Sequence, residues 1–438
     1  MTIQQKPPPV NPPKKKSDLP WSRPSEEWGP DDLHLDSPSP ENFGPRRKIG
    51  AGLGNHGKFA SLQNRKKRRR ETFHLRGLFR QFLNKKYRLL LAELRRNDFV
   101  STPFIEKLRK VANIQTCWCG IREIPRKRRA DGSDHVEIVI NKGIASYTKV
   151  RYCKNAKYCA CCAQQKFRAE QVNISKLLEK CQENSWTQIM LTLTRPHGRH
   201  DKLLDLLKDF SAAQRRLFSG QSWENLRKSV GYVGMVRSEE ILFGPQHGWH
   251  PHQHIVIIVE KCNSSQKNEI KKYFKNAWNL YGRKLGWVHG EKEESWFDER
   301  GTDLKFGKIS DNYLTKSLSC ELASPNTKSS EAGLISVWEI IRRALDEPFY
   351  DMKLMEYVLA VRGRSAIRWS PGLRKHIELI DVIEEEGEVL YHMSARDFRY
   401  LGRFENVLPI LEAIEEKNVE VIEFYIKNCG LVPVSENC

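Results

Sequence analysis

Three histidines occupy alternate positions at the beginning of the run Trp249–Glu260, and an unbroken apolar segment follows them directly. They are His250, His252 and His254, and the apolar segment is Ile255–Val259. Alternate residues of a strand face the same side, roughly 6.5–7 Å apart along the backbone, so the imidazoles are displayed together. Because neutral imidazoles bind divalent metals well, the pattern predicts a metal site at the end of a buried strand. The alternative, a surface strand that happens to carry histidines, accounts poorly for three in register.

Cysteines form a second candidate metal site. Six of the 11 cysteines fall between positions 117 and 162, in a polar and basic setting. Cys159 and Cys162 form a CxxC pair, a spacing typical of zinc knuckles. The alternative is six reduced cysteines without a metal. The ligands that we predict for a structural Zn²⁺ are Cys119, Cys153, Cys159 and Cys162, with Cys117 and Cys161 as substitutes.

A tyrosine and a lysine three residues apart supply a candidate nucleophile. Tyr313 and Lys316 share one face of a predicted helix that Ser310 or Asp311 caps. A phenol with a pKa of about 10 is a poor nucleophile at neutral pH, and a lysine cation beside a metal-polarised phosphate offsets that weakness. Taken alone, the pair is more typical of an ordinary amphipathic helix, so it gains weight only together with the histidines.

The elements that must position these residues alternate between strands and helices. The spacing predicts strands over 187–194, 231–242, 252–259 and 287–297, and helices over 73–94, 202–218, 264–281 and 311–322. Such a mixture is typical of an α+β domain in which helices cover one face of a mostly antiparallel sheet. Thr192 and Thr194 share a face of the first strand and are predicted to line the site; the alternative is a half-exposed strand.

Charge and composition indicate a partner and a compartment. The 438 residues carry a net charge of +20, with 74 Lys and Arg against 54 Asp and Glu, which favours a polyanionic partner such as DNA or RNA. No apolar run approaches the ~20 residues of a bilayer helix, and Met1–Lys16 lacks the apolar core of a signal peptide. An odd number of cysteines does not suit a secreted disulfide framework, so we expect a soluble protein of the cytoplasm.

Composition also divides the chain into segments. From Asp381 onward there are 13 acidic and 5 basic residues, which is typical of a partner-binding, regulatory or merely capping segment. The predicted segments are a disordered basic Pro-rich arm (1–72), a basic helix (73–110), a cysteine-rich zinc module (111–180), a catalytic domain (181–375) and an acidic helical extension (376–438).

These motifs, in this order, resemble those of the HUH endonucleases that initiate rolling-circle replication of small bacterial plasmids. Over about 115–375, the matching stretches are Cys119-Gly, Arg151–Cys162, Thr192–Thr194, Gly231–Glu240, Trp249–His254, Tyr313–Lys316 and Arg362–Arg374. The resemblance implies an α+β HUH endonuclease domain with a central antiparallel five-stranded sheet and helices on one face, preceded by a small zinc-binding module. It also implies plasmid-origin DNA, single-stranded at the nick, as the partner, with a host helicase and replication proteins as further partners and no membrane.

The resemblance also assigns roles to residues. It implies that His252, His254 and Glu240 hold Mg²⁺ or Mn²⁺, with His250 and Glu239 in supporting or alternative places. The remaining assignments are Tyr313 as the nucleophile that forms a 5′-phosphotyrosyl intermediate and frees a 3′-OH primer, Lys316 as its charge-stabilising partner, and Arg364 and Arg374 as DNA contacts.

Three departures and two alternatives accompany this interpretation, and one of the departures is an extra residue within the cysteine segment. Gln253 replaces a hydrophobic residue between the histidines, and Ile309 stands where related initiators often carry a Glu that assists a terminating strand transfer. A rolling-circle transposase of the same superfamily shares the motifs but often has two neighbouring tyrosines, whereas Tyr313 stands alone and the next tyrosine is Tyr350. The third hypothesis is a non-catalytic zinc-dependent DNA-binding protein.

Overall fold

The structure is a computed structural model that describes residues 62–96, 102–112, 114, 135–307, 333–380, 387–403 and 406–434. Its strands are β1 His135–Asn141, β2 Ile144–Thr148, β3 Thr187–Thr194, β4 Tyr232–Gly244, β5 Gly248–Val259, β6 Thr302–Phe306, β7 Ile367–Trp369, β8 Glu388–Ser394 and β9 Leu431–Pro433. Its helices are α1 Leu62–Arg96, α2 Pro103–Ala112, α3 Ala160–Glu183, α4 Leu203–Leu217, α5 Gln221–Ser229, α6 Ser264–Lys284, α7 Glu291–Arg300, α8 Val337–Arg343, α9 Pro348–Val361, α10 Pro371–Arg374, α11 Ala395–Arg403, α12 Val407–Glu416 and α13 Val419–Cys429. Within these residues, no helix is both long and apolar enough to span a bilayer.

Five antiparallel strands form the sheet that carries the histidines, in the order β6-β3-β5-β4-β7. The central strand β5 pairs with β3 on one side and with β4 on the other. The short strands β6 and β7 lie at the two edges. The mixture of helices with antiparallel sheets that the sequence predicts is therefore confirmed.

Helices cover both faces of this sheet. Ile255 and Ile257 of β5 pack in a core with helices α4 to α7. Val256 and Ile258 point the other way and pack with α3. The prediction of helices on one face only is therefore wrong. The physical reason lies in the run Ile255–Val259, because a strand that is apolar at every position must be buried on both sides.

The secondary structure around the sheet agrees with the sequence prediction except in one segment. The strand predicted over 187–194 is β3, and the three helices predicted over 73–94, 202–218 and 264–281 lie within or overlap α1, α4 and α6. The strand predicted over 287–297 is wrong, because α7 occupies most of it and the edge strand β6 follows at Thr302. Glu291, Glu293 and Glu294 lie in the first turn of α7, where carboxylates favour the helix dipole. The helix predicted over 311–322 lies outside the described residues.

A second antiparallel sheet joins the cysteine-rich region to the acidic C-terminal segment. Its order is β2-β1-β8-β9, so a hairpin from residues 135–148 pairs with strands from residues 388–433. Its core includes Phe398, Ile410 and Leu411 from α11 and α12. The Tyr147 hydroxyl donates a 2.7 Å hydrogen bond to the Val407 carbonyl in the same core. The segment expected as a separate helical extension therefore shares a sheet and a core with residues 135–148.

The basic run Arg65–Arg70, expected within a disordered arm, forms the beginning of α1. Acidic residues of α12 pair with it: Arg69 Nη2 lies 2.9 Å from Glu415 Oε2, and Arg70 pairs with Glu412. Lys66 Nζ lies 3.3 Å from the same Glu415 carboxylate, which is fully buried. The arm prediction is therefore wrong from Leu62 onward, because these ion pairs neutralise part of the run and hold it against α12. Residues 1–61 lie outside the described residues.

Candidate metal centre

Strand register brings the predicted metal ligands together on one face of the five-stranded sheet. On β5, His252 lies opposite Glu240 of β4 and Thr194 of β3. His254 lies opposite Thr192 of β3. Residues directly opposite each other on antiparallel strands share a face, so side chains about 60 positions apart in sequence become neighbours.

Hydrogen bonds hold the two imidazoles of this face in place. His254 Nε2 lies 3.0 Å from Glu240 Oε2, and its Nδ1 lies 3.2 Å from Thr192 Oγ1. His252 Nδ1 lies 3.0 Å from Thr194 Oγ1. Hydroxyl partners of this kind fix the orientation of a metal-binding imidazole. The two threonines that the sequence places at the site therefore touch the predicted ligands.

The nitrogen and oxygen donors of His252, His254 and Glu240 suit a divalent cation, although they are more widely spaced than the ligands of an occupied metal site. The ring centroids of His252 and His254 are 6.4 Å apart, with an angle of 27° between the rings. Among the described residues, the ligand atoms of His252, His254 and Glu240 do not all lie within 4.8 Å of one another. Two imidazoles with one carboxylate oxygen suit a hard or intermediate divalent metal.

A fourth histidine, which sequence reasoning missed, joins the cluster. His197 follows β3; its Nε2 contacts Nδ1 of His250, and its Nδ1 lies 3.0 Å from the carbonyl oxygen of His247. The rings of His250 and His252 are 4.0 Å apart in an edge-to-face arrangement. Burial lowers the pKa of His250 to about 3 and that of His252 to about 4, so both imidazoles are neutral at neutral pH. The only sequence signal for His197 was its position immediately beyond the Thr192–Thr194 strand.

Glu239, the alternative ligand, lies on the opposite face of β4 and makes other contacts. Its carboxylate is 2.6 Å from Arg364 Nη2 and 2.8 Å from Lys157 Nζ. Burial alone would raise the pKa of Glu239, but the two cations outweigh that effect and hold the pKa at about 2. Arg364, expected to contact DNA, thus binds Glu239 and also donates to Ser211 Oγ at 2.9 Å. Arg374, the other expected DNA contact, is exposed at the end of α10.

Three of the four predicted zinc ligands come together at the start of α3. The sulfur atoms of Cys153, Cys159 and Cys162 all lie within 4.8 Å of one another, and Cys153 Sγ is 3.4 Å from Cys162 Sγ. Cys159 occupies the N-cap position of α3 and Cys162 lies in the first turn, where backbone N–H groups favour thiolates. The substitute Cys161 is buried but is not part of this group. Cys119 and Cys117 lie outside the described residues.

The predicted nucleophile and its partner, Tyr313 and Lys316, also lie outside the described residues. The described chain flanks them on both sides. It leaves β6 at Phe306, opposite Ile189, and returns to form a bridge between Ile335 and Phe243 at the far end of β4.

Comparison with known proteins gives one family. Residues 145–282 match the family model described as "Replication protein". This part of the chain is similar to the replication-protein family. The replication-protein domain contains the three clustered cysteines, both threonines, Glu240 and the histidines of β5, whereas Tyr313, Lys316, Arg364 and Arg374 lie beyond the match. The resemblance to plasmid replication initiators is therefore confirmed.

Two curated proteins are similar to the chain. "Protein rep" of Streptomyces lividans is 24% identical over a region that covers 44% of this chain and 56% of that protein. "Neomycin resistance protein" of Streptomyces cyanogenus is 26% identical over 25% of this chain and 30% of that protein. The chain thus spans about half the length of the first relative and less than a third of the second. No solved structure matches the chain.

Proposed function

We propose that this protein initiates rolling-circle replication of a bacterial plasmid by nicking and rejoining one DNA strand at the origin. The observation that carries the proposal is the contact of His254 with Glu240 and Thr192, beside His252 and Thr194, within a replication-protein domain. A net charge of +20 supports a nucleic-acid partner, since phosphate neutralisation drives binding. Arg374 and the cysteine-rich segment are the proposed DNA contacts; Arg364 supports the sheet through Glu239.

The histidine face supplies the electrophilic half of the proposed reaction. His252, His254 and Glu240 are the residues that would hold Mg²⁺ or Mn²⁺, and the bound ion would supply Lewis-acid polarisation of the scissile phosphate. Thr192 and Thr194 keep the two imidazoles turned toward this position through their contacts with Nδ1. Because burial keeps His252 neutral at neutral pH, its nitrogen lone pair is available without a competing proton.

Tyr313 supplies the nucleophilic half. Its phenol oxygen attacks the phosphorus, the bond from phosphorus to the 3′ oxygen breaks, and the phenol proton passes to solvent while the 3′ oxygen leaves as a hydroxyl. Lys316 offsets the negative charge that develops on the phosphate. The described chain before this segment ends on β6, which pairs with β3, and after it Ile335 forms a bridge with Phe243 of β4.

The decisive experiment incubates the protein with single-stranded fragments of its own plasmid and Mn²⁺ or Mg²⁺. We expect one fragment to yield a covalent protein–oligonucleotide adduct and a second product with a free 3′-OH. If no fragment and neither metal yields an adduct, the nicking proposal is wrong. Fragments from transposon ends provide the comparison for the transposase hypothesis, which requires that they react and that origin fragments do not.

Tyr313→Phe is expected to remove the adduct completely while leaving binding to the same oligonucleotide unchanged, because only the attacking oxygen is lost. Adduct yield on denaturing gels and binding by fluorescence anisotropy measure the two effects. The matched control is Tyr400→Phe, which changes an exposed tyrosine of α11 and should react as the wild type does. Under the hypothesis of a non-catalytic zinc protein, Tyr313→Phe alters neither quantity.

The cysteine cluster is proposed to hold one structural Zn²⁺, with Cys119 as the fourth ligand. Cys162→Ser is therefore expected to lower the bound zinc by one equivalent, measured by elemental analysis, and to weaken DNA binding. Cys161→Ser is the matched control, since the Cys161 thiol is next to Cys162 in sequence but lies outside the cluster. Full zinc occupancy in the Cys162→Ser variant would contradict the zinc site. If Cys119→Ser keeps its zinc, the site stands but Cys119 is not its fourth ligand.

A further inference from the structure

A third set of potential metal ligands, distinct from the cysteines and the β5 histidines, lies on the four-stranded sheet. His135 and Glu137 occupy alternate positions of β1, and His392 of β8 lies directly opposite Glu137. One potential ligand atom from each residue lies within 4.8 Å of the other two. The rings of His135 and His392 meet edge to face, with their centroids 4.6 Å apart. All three residues lie outside the replication-protein domain at 145–282.

Hydrogen bonds orient the Glu137 carboxylate within this set. Thr148 donates a 3.1 Å hydrogen bond to Glu137 Oε2, which orients the carboxylate and leaves Oε1 facing His135 Nε2 at 3.3 Å. His392 Nδ1 is buried and makes no hydrogen bond within the described structure. A buried imidazole nitrogen without a partner is costly, and a bound cation removes that cost.

The ammonium group of Lys149 lies beside Glu137, at the position where a metal cation would bind. Its Nζ lies 2.8 Å from Glu137 Oε1. The lysine backbone has φ 59°, the left-handed conformation that a non-glycine side chain adopts only at a cost in energy. Its side chain is 23% exposed, so the ammonium group can turn into solvent when another cation takes over the carboxylate.

We propose that His135, Glu137 and His392 form a binding site for a divalent transition-metal ion of the zinc class, which displaces the Lys149 ammonium group. Two imidazoles and one carboxylate form a ligand set that ions of the zinc class bind in proteins. The site bridges β1 and β8, so the bound metal fastens the C-terminal segment to the hairpin that precedes the cysteine cluster. Because the metal binds only when the strands are paired, it stabilises that pairing.

The test uses the full-length chain, freed of metal by a chelator and titrated with Zn²⁺. Amide hydrogen exchange followed by mass spectrometry reports on β8 separately from the other two sites. We expect saturating Zn²⁺ to slow exchange in Glu388–Ser394 at least about tenfold, since ligand binding adds to the local opening free energy. His392→Gln and His135→Gln should each lose this protection and one equivalent of zinc. Because His135 lies at the start of β1, its variant remains informative if His392→Gln does not fold.

Two further variants separate the site from its surroundings. Lys149→Gln removes the competing ammonium group, so it should keep the protection of β8 and lower the Kd for Zn²⁺ several-fold. Cys162→Ser should lose a different equivalent of zinc and leave the protection of β8 intact. The proposal is overturned if Zn²⁺ does not slow exchange in β8 of the wild-type chain, if both histidine variants keep the protection, or if Lys149→Gln abolishes it.

Discussion

Replacing His252 and His254 together by glutamine is expected to reduce metal-dependent cleavage of origin DNA by at least about 100-fold, because the cation loses both nitrogen ligands. The expectation rests on the proposed function. Glutamine is neutral and close to histidine in size, and the β5 ladder is made of backbone hydrogen bonds, so the sheet should persist. Adduct formation against Mn²⁺ concentration measures the loss, and circular dichroism checks the fold.

Variants with smaller expected effects test whether the loss of cleavage follows from the geometry of the site. Thr194→Val removes the hydroxyl 3.0 Å from His252 Nδ1 but no ligand, so its expected effect on metal affinity is smaller, about 10-fold. His289→Gln changes an exposed histidine before α7 and should have no effect. Wild-type adduct yield from the double histidine variant at low Mn²⁺ would show that the β5 histidines do not hold the catalytic cation.

Glu239→Gln is expected to destabilise the protein by about 3–5 kcal/mol, the range typical of removing one member of a buried charge cluster. Its carboxylate is the shared partner of Lys157 and Arg364, and the Lys157 side chain is only 4% exposed. Without the carboxylate, two cations remain close together in a region that excludes water. The midpoint of urea unfolding measures the effect.

Glu240→Gln is the matched control, because the two glutamates are neighbours on β4 and face opposite sides of the sheet. We expect Glu240→Gln to change the free energy of unfolding by less than about 1 kcal/mol, as for a partly exposed pair, and to weaken metal binding instead. Equal effects of the two substitutions on stability would contradict this division of roles between them.

Features that depend only on residues close together in the sequence could be predicted from the local sequence pattern. The alternation of histidines predicted β5, the CxxC spacing predicted the cysteine cluster, and both lie where strand and helix geometry require. The segment 287–297 shows the limit of this reasoning. Its aromatic residues allowed a strand, but only Phe297 is buried in α7, and the glutamates of the first turn favour the helix.

The preference for Glu240 over Glu239 shows what register contributes. Adjacent strand residues always face opposite sides, so the sequence required that only one of the two point toward the histidines. Which one did so depended on the pairing of β4 with β5, which sets Glu240 opposite His252. His197 was missed for a related reason: its contact with His250 joins positions 53 apart through two strands, and no local pattern reports it.

Short-range sequence patterns were enough to predict the local features of this protein: a histidine-bearing strand, a cysteine cluster, a basic helix and a resemblance to replication proteins. Which of these features come into contact became visible in the folded chain. Helices cover both faces of the five-stranded sheet, the acidic α12 pairs with the basic start of α1, and His392 lies opposite Glu137. Secondary structure follows from short-range periodicity, whereas contacts between distant segments follow from strand register and from burial, which depend on the whole chain at once.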